Sequence, residues 1–234
     1  MSAEGGSASG GKKGITIAIV IILALGFGYF LFKISPQEKQ QIQNAAADFD
    51  LSQVKSISEP GPINPQDHIA GDVNAKNIFI AYEDYQCPAC AQTASLVKQV
   101  PQAFTDTKVV FRHFPLYQIH KNSVVSAYAA EAAAAQGKYW EMHDSLFEKQ
   151  ADWSELENPL GYFAALAQQA GVSNIDQFKN DITSKKFKER IQKDLVEALS
   201  LDLPGTPSFY FNGHKLENNS LENMKAQAAP YFIK

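Results

Sequence analysis

The chain has 234 residues, 45% hydrophobic, 11% aromatic and 20% charged, with two cysteines and a formal net charge of −4. That apolar share supports a packed core and excludes global disorder, and the charge leaves no basic footprint for nucleic acid. Two cysteines make at most one bridge, which excludes a disulfide-rich scaffold and a four-cysteine zinc site.

Residues 1–13 begin with a small, polar, Gly/Ser-rich stretch and read as a flexible tail. Residues 14–32 (GITIAIVIILALGFGYFLF) carry no charge. As a helix they span about 28 Å, close to the ~30 Å hydrocarbon core of a bilayer, and predict a single transmembrane anchor. A cleaved signal peptide would be shorter and end in small residues, whereas this run ends in Tyr29-Phe30-Leu31-Phe32 before Lys33. Lys12 and Lys13 before the run and Lys33 and Lys39 after it give little charge bias. The short tail and the long following domain favour a cell-membrane protein with a cytoplasmic N-terminus and an extracytoplasmic domain. Residues 33–66, rich in Gln, Ala, Ser, Asp and Pro with a break at Glu59-Pro60-Gly61-Pro62, read as a juxtamembrane linker.

The folded domain is expected over 67–234. Asn77 to Tyr82 is a short apolar run suited to a central strand. Ala91 to Phe104 reads as a helix, and Lys108 to Phe114 as a second strand stopped by Pro115. Helices are expected over 124–136, 138–150 and 159–170, with Gly171 as a C-cap and Ser173 and Ser184 as N-caps of two more. In the last of these, Phe187, Ile191, Leu195 and Leu199 form one stripe. Ser208 to Phe211 and His214 to Leu216 flank Asn212-Gly213, a strong hairpin signal, and residues 220–232 close the chain as a helix. The class is α/β with a helical insertion at approximately 116–203.

Cys87-Pro88-Ala89-Cys90 follows the first strand and opens the next helix. Residues three apart on a helix are neighbours, close enough for a disulfide after small adjustments. Pro88 suits the first turn, where its missing N–H costs nothing. Unpaired N–H groups and the helix dipole favour a thiolate at Cys87, the nucleophile. Cys90, one turn deeper, is the resolving thiol that attacks a mixed disulfide on Cys87. The plain alternative is two ordinary buried cysteines. A metal site needs more ligands, and none of His68, His113, His120, His143 and His214 is paired at helical spacing. His113, at the end of the second strand, either faces the thiols or is satisfied elsewhere.

The strings DYQCPAC (84–90), FRHFPL (111–116), QGKYWEMHDSLF (136–147) and GTPSFYFNG (205–213) resemble the DsbA-like branch of the thioredoxin superfamily, in its membrane-anchored bacterial form. The resemblance covers 67–234. It implies a thioredoxin fold with a helical insertion, Cys87 as exposed nucleophile, Cys90 as partner, and Pro207 facing the pair after a cis bond from Thr206. The Thr206 backbone is then open to a substrate strand, and its hydroxyl is placed to tune Cys87. No cofactor and no metal is implied.

One departure stands out. Many superfamily members carry an acid six residues before the first cysteine, where this chain has Ala81. Strand alternation lets at most one of Glu83 and Asp84 point toward the pair, which leaves the acceptor of the Cys90 proton open. Functionally, the expectation is an extracytoplasmic thiol–disulfide oxidoreductase that oxidises cysteine pairs in exported proteins, with a quinone-coupled membrane partner for reoxidation. A reductase or isomerase of the same fold, and a tethered substrate-binding (holdase) module, are the alternatives.

Overall fold

The computed structural model describes residues 48–217 and 220–233. The tail and the anchor expected at 14–32 lie outside the described residues. Among the described residues, no helix is long and apolar enough to cross a membrane.

Five strands form one sheet: β1 (His68–Ala70), β2 (Asn77–Glu83), β3 (Thr107–His113), β4 (Ser208–Phe211) and β5 (His214–Leu216), in the order β1-β3-β2-β4-β5. β2 runs parallel to β3, placing Glu83 opposite His113, and antiparallel to β4, placing Tyr82 opposite Ser208. Helix α1 (Pro88–Ala103) makes the crossover between the two parallel strands that such pairing demands. β2 is covered on both faces, which explains its unbroken apolar run. Phe79 and Ala81 pack with Val97, Val100 and Phe104 on the α1 side. Ile80 and Tyr82 pack on the other side with Leu195 and Ala198. The three-residue β1, which pairs antiparallel with β3, is too short to show a period in the sequence.

The insertion between β3 and β4 contains α2 (Ser123–Ala134), α3 (Tyr139–Glu148), α4 (Gln150–Trp153), α5 (Leu160–Gln169), α6 (Ile175–Thr183) and α7 (Lys188–Ser200). α2 is buried nearly all round, and its alanines let α3, α5, α6 and α7 approach it closely. Gly171 ends α5 with φ 85° as the caps predict, but two other caps move. Asn174 rather than Ser173 caps α6, accepting from the Gln177 N–H. Ser184 closes α6 instead of opening the next helix, because Lys185 turns to φ 55° and α7 begins only at Lys188. Asn212 and Gly213, at φ 47° and 86°, make the left-handed pair that a two-residue hairpin requires. Ser220 caps α8 (Leu221–Ala228), which gives way to a short 3-10 turn where Pro230 removes a donor.

From Asp48 onward, the stretch expected as linker lies along the domain. Phe49, Leu51 and Ile63 pack against the core on the α7 side, and the Ile57 N–H donates to the Ser200 carbonyl at 3.0 Å. The buried Arg112 guanidinium donates to the Gly61 and Pro62 carbonyls, both at 3.1 Å, and pairs with Asp67 and Glu197.

Candidate functional site

β2 ends at Glu83, and a tight turn carries the chain into α1. The Cys87 N–H donates to the Asp84 carbonyl at 3.0 Å, and the Gln86 N–H to the Asp84 carboxylate at 2.8 Å. Cys87 is the N-cap residue of α1, with extended φ −72° and ψ 121°, and Pro88 takes the first helical position. Pro88 and Ala89 are exposed, whereas Cys87, expected to be exposed, is buried at 6% because it packs into the core beside Cys90, which is fully buried. Both cysteines are free thiols.

The two thiols are electrostatically unequal. A hydrogen bond from Cys90 lowers the Cys87 pKa to about 5 against the cost of burial, aided by Thr206 and by the Cys90 and Ala89 backbone N–H groups at the helix start. Burial pushes Cys90 well above the usual thiol range, and the Cys87 side chain and Glu83 push it the same way. One thiol is therefore ionised at neutral pH while the other keeps its proton.

The Thr206–Pro207 peptide is cis. The Cys87 sulfur lies 3.3 Å from the Thr206 carbonyl oxygen, to which it donates when protonated. The Thr206 hydroxyl is buried with no hydrogen-bond partner, which leaves it available to a Cys87 thiolate. The structure thus brings together Cys87, Pro88, Ala89, Cys90, Thr206 and Pro207, the residues singled out in the sequence.

The alternation of β2 separates Glu83 from Asp84. Asp84 accepts from the Leu116 N–H at 3.0 Å and from His120 Nδ1 at 2.7 Å. That hydrogen bond raises the His120 pKa, as does the nearby charge of Cys87. Glu83 is buried, and neither of its carboxylate oxygens has a partner. Burial, and secondarily the charge of Cys87, raise its pKa to about 8.

His113 is committed to another group. Its Nε2 lies 2.8 Å from the Glu131 carboxylate, which also meets His68 Nε2 at 2.8 Å. Against the cost of burial, these two bonds hold Glu131 well below the usual carboxylate range. His68, His113 and Glu131 offer ligand atoms within 4.8 Å of one another, a grouping drawn from three elements and invisible to helical spacing. Hydrogen bonding accounts for all three, and the Arg190 guanidinium, 3.9 Å from Glu131, opposes a cation there.

Sequence reasoning missed the side chains that brace the turn from the insertion. Gln150 donates to the Tyr85 and Cys87 carbonyls at 2.7 and 2.9 Å. Gln86 donates to the Ser154 carbonyl at 2.8 Å and accepts from the Asn122 N–H. No periodicity marks isolated glutamines or asparagines for such work.

The family model for thioredoxin matches residues 63–228, most of the chain. The chain belongs to the thioredoxin family. Within that family its fold is DsbA-like. BdbD from Bacillus subtilis superposes with a TM-score of 0.64 at 20% identity, over 75% of this chain and 96% of that one. MdbA, a thiol-disulfide oxidoreductase from Corynebacterium diphtheriae, superposes with a TM-score of 0.56 at 24% identity, over 80% and 98%. A curated relative, the Na(+)/H(+) antiporter NhaA 1 of Mycobacterium sp. (strain KMS), is 34% identical over 212 residues. That match covers 87% of this chain, which spans only 31% of the relative's length.

Proposed function

We propose that this protein is a membrane-anchored extracytoplasmic thiol–disulfide oxidoreductase that oxidises cysteine pairs in exported proteins. The observation that carries the reading is the division of labour between the thiols: Cys87 held as a thiolate at the helix start, Cys90 protonated beneath it. In the oxidised enzyme, a substrate thiolate attacks Cys87, the Cys87–Cys90 bond breaks, and Cys90 takes up a proton. A second substrate thiolate then attacks the substrate sulfur of the mixed disulfide. Cys87 leaves as a thiolate, the substrate has lost two electrons, and the enzyme pair has gained them.

The leaving group supports this direction. A Cys87 pKa near 5 stabilises the reduced enzyme at neutral pH, so its disulfide is readily given away. The Thr206 carbonyl, beside the sulfur and next to Pro207, suits an extended cysteine-containing chain laid across the site. The uncharged stretch at 14–32 supports the anchor and the extracytoplasmic placement. A quinone-coupled membrane partner would return the pair to the disulfide state.

Equilibration with glutathione redox buffers tests the direction. The reading predicts a potential nearer the roughly −120 mV of DsbA than the roughly −270 mV of thioredoxin. A potential at the thioredoxin end would make the protein a reductase. A wild-type protein that exchanges with neither form of glutathione would leave only a tethered binding module.

A further inference from the structure

Resting on the oxidoreductase reading, we propose that Glu83 holds the proton that Cys90 gains and loses during disulfide exchange, from a position two residues further along β2 than Ala81. The placement follows from strand alternation. Phe79 and Ala81 pack on the α1 side of the sheet, so Glu83 is the next side chain on that face, at the end of the strand that leads into α1. Cys90 is the buried cysteine of that turn, and Glu83 and Cys90 interact electrostatically. An unpartnered buried carboxyl is costly and is best kept neutral, with its proton ready for a neighbouring base.

The groups around it leave few competitors. From the start of α1 come Cys87, its N-cap, and Cys90, and from the turn before it comes the buried Tyr85, whose hydroxyl is committed to Tyr139. From β3 comes His113, the register partner of Glu83, whose ring is committed to Glu131 and whose N–H donates to Asp194. Asp84, on the opposite face of the strand, is committed to Leu116 and His120, and Glu131 and Asp194 also engage Arg190. Among the described residues, Cys87 is the one whose charge raises the Glu83 pKa.

This arrangement couples the proton to the sulfur chemistry. When substrate attack breaks the Cys87–Cys90 bond, the electron pair goes to Cys90, and the neutral Glu83 carboxyl protonates it. In the reverse step, the Glu83 carboxylate takes the Cys90 proton as the Cys90 sulfur attacks Cys87 and releases the substrate thiolate. In the mixed disulfide Cys87 carries no charge, so its contribution to the raised Glu83 pKa vanishes at the step where a base is needed.

The test is the rate at which the enzyme–glutathione mixed disulfide is resolved, followed by rapid mixing from about pH 5.5 to 9.5. Glu83→Gln, nearly isosteric with the neutral acid, should slow resolution at neutral pH by about tenfold or more and abolish the Glu83-dependent inflection. Adding Ala81→Glu to that variant should restore an inflection, because position 81 lies on the same face. The proposal is overturned if Glu83→Gln keeps the wild-type profile, or is slowed equally at every pH with the inflection intact. A wild-type protein that forms no mixed disulfide overturns the oxidoreductase reading first, and this one with it.

Discussion

The side-chain amide of Gln150 donates to the carbonyl oxygen of Cys87 at 2.9 Å, and through its second hydrogen to that of Tyr85 at 2.7 Å. One side chain at the start of α4 thereby ties the helical insertion to the turn that carries Cys87. Gln150→Ala leaves the Tyr85 carbonyl without a partner, while the Cys87 carbonyl keeps the Ala91 N–H at 3.2 Å, a loss of about 1–3 kcal/mol. The expected outcome is a lower denaturant midpoint with an unchanged far-ultraviolet spectrum. Cys87 alkylation should become less uniform as the turn loosens.

Alkylation of Cys87 should titrate with a midpoint near pH 5. The folded value lies below the ordinary thiol value of 9.0, so ionisation stabilises the reduced folded state. That contribution is fully present above pH 9 and is lost as the pH falls through about 5. Reduced protein should therefore gain stability relative to oxidised protein as the pH rises from 5. Paired urea titrations of the two forms at about pH 4.5 and 7.5 check the sign.

Glu83 works in the opposite sense. Its pKa rises from 4.5 to about 8 on folding, mainly through burial. Between those values the folded state keeps a proton that the unfolded state has lost, so this group's contribution to stability falls as pH rises. The full shift corresponds to on the order of 5 kcal/mol as an upper bound. Glu83→Gln should flatten this dependence and raise the denaturant midpoint at pH 8 more than at pH 5.

Arg112 holds the segment before the domain in place. Its guanidinium meets the Gly61 and Pro62 carbonyls and the Asp67 and Glu197 carboxylates. Arg112→Ala leaves the buried Asp67 without this partner, an expected loss of about 3–5 kcal/mol. Limited proteolysis should then cut within 48–62 at protease levels that leave the wild type intact.

The turn carrying the cysteine pair was legible in the sequence because its requirements are local: a strand, a proline at the first helical position, and cysteines three apart. Thr206 and Pro207 lie more than a hundred residues away, and only resemblance to a family joined them to Cys87. Alternation alone showed that Glu83 and Asp84 part company. Which of them is left unpartnered depended on Leu116 and His120, which the fold brings to Asp84. The packing of Phe49, Leu51 and Ile63 escaped notice because apolar residues scattered through a Pro-rich stretch form no period. Ser184 looked like a cap by type, but the left-handed turn at Lys185 places it at the end of a helix.

On the proposed reading, Cys87 and Cys90 form one exchange centre with fixed roles. Its most direct test is trapping: Cys90→Ser is incubated with a cysteine-containing peptide disulfide, and the adduct is located by mass spectrometry of peptides. A long-lived adduct is expected on Cys87 alone in the variant, with rapid loss of that adduct in the wild type as Cys90 attacks it. No adduct on an accessible Cys87, or one that persists equally in the wild type, would contradict that reading.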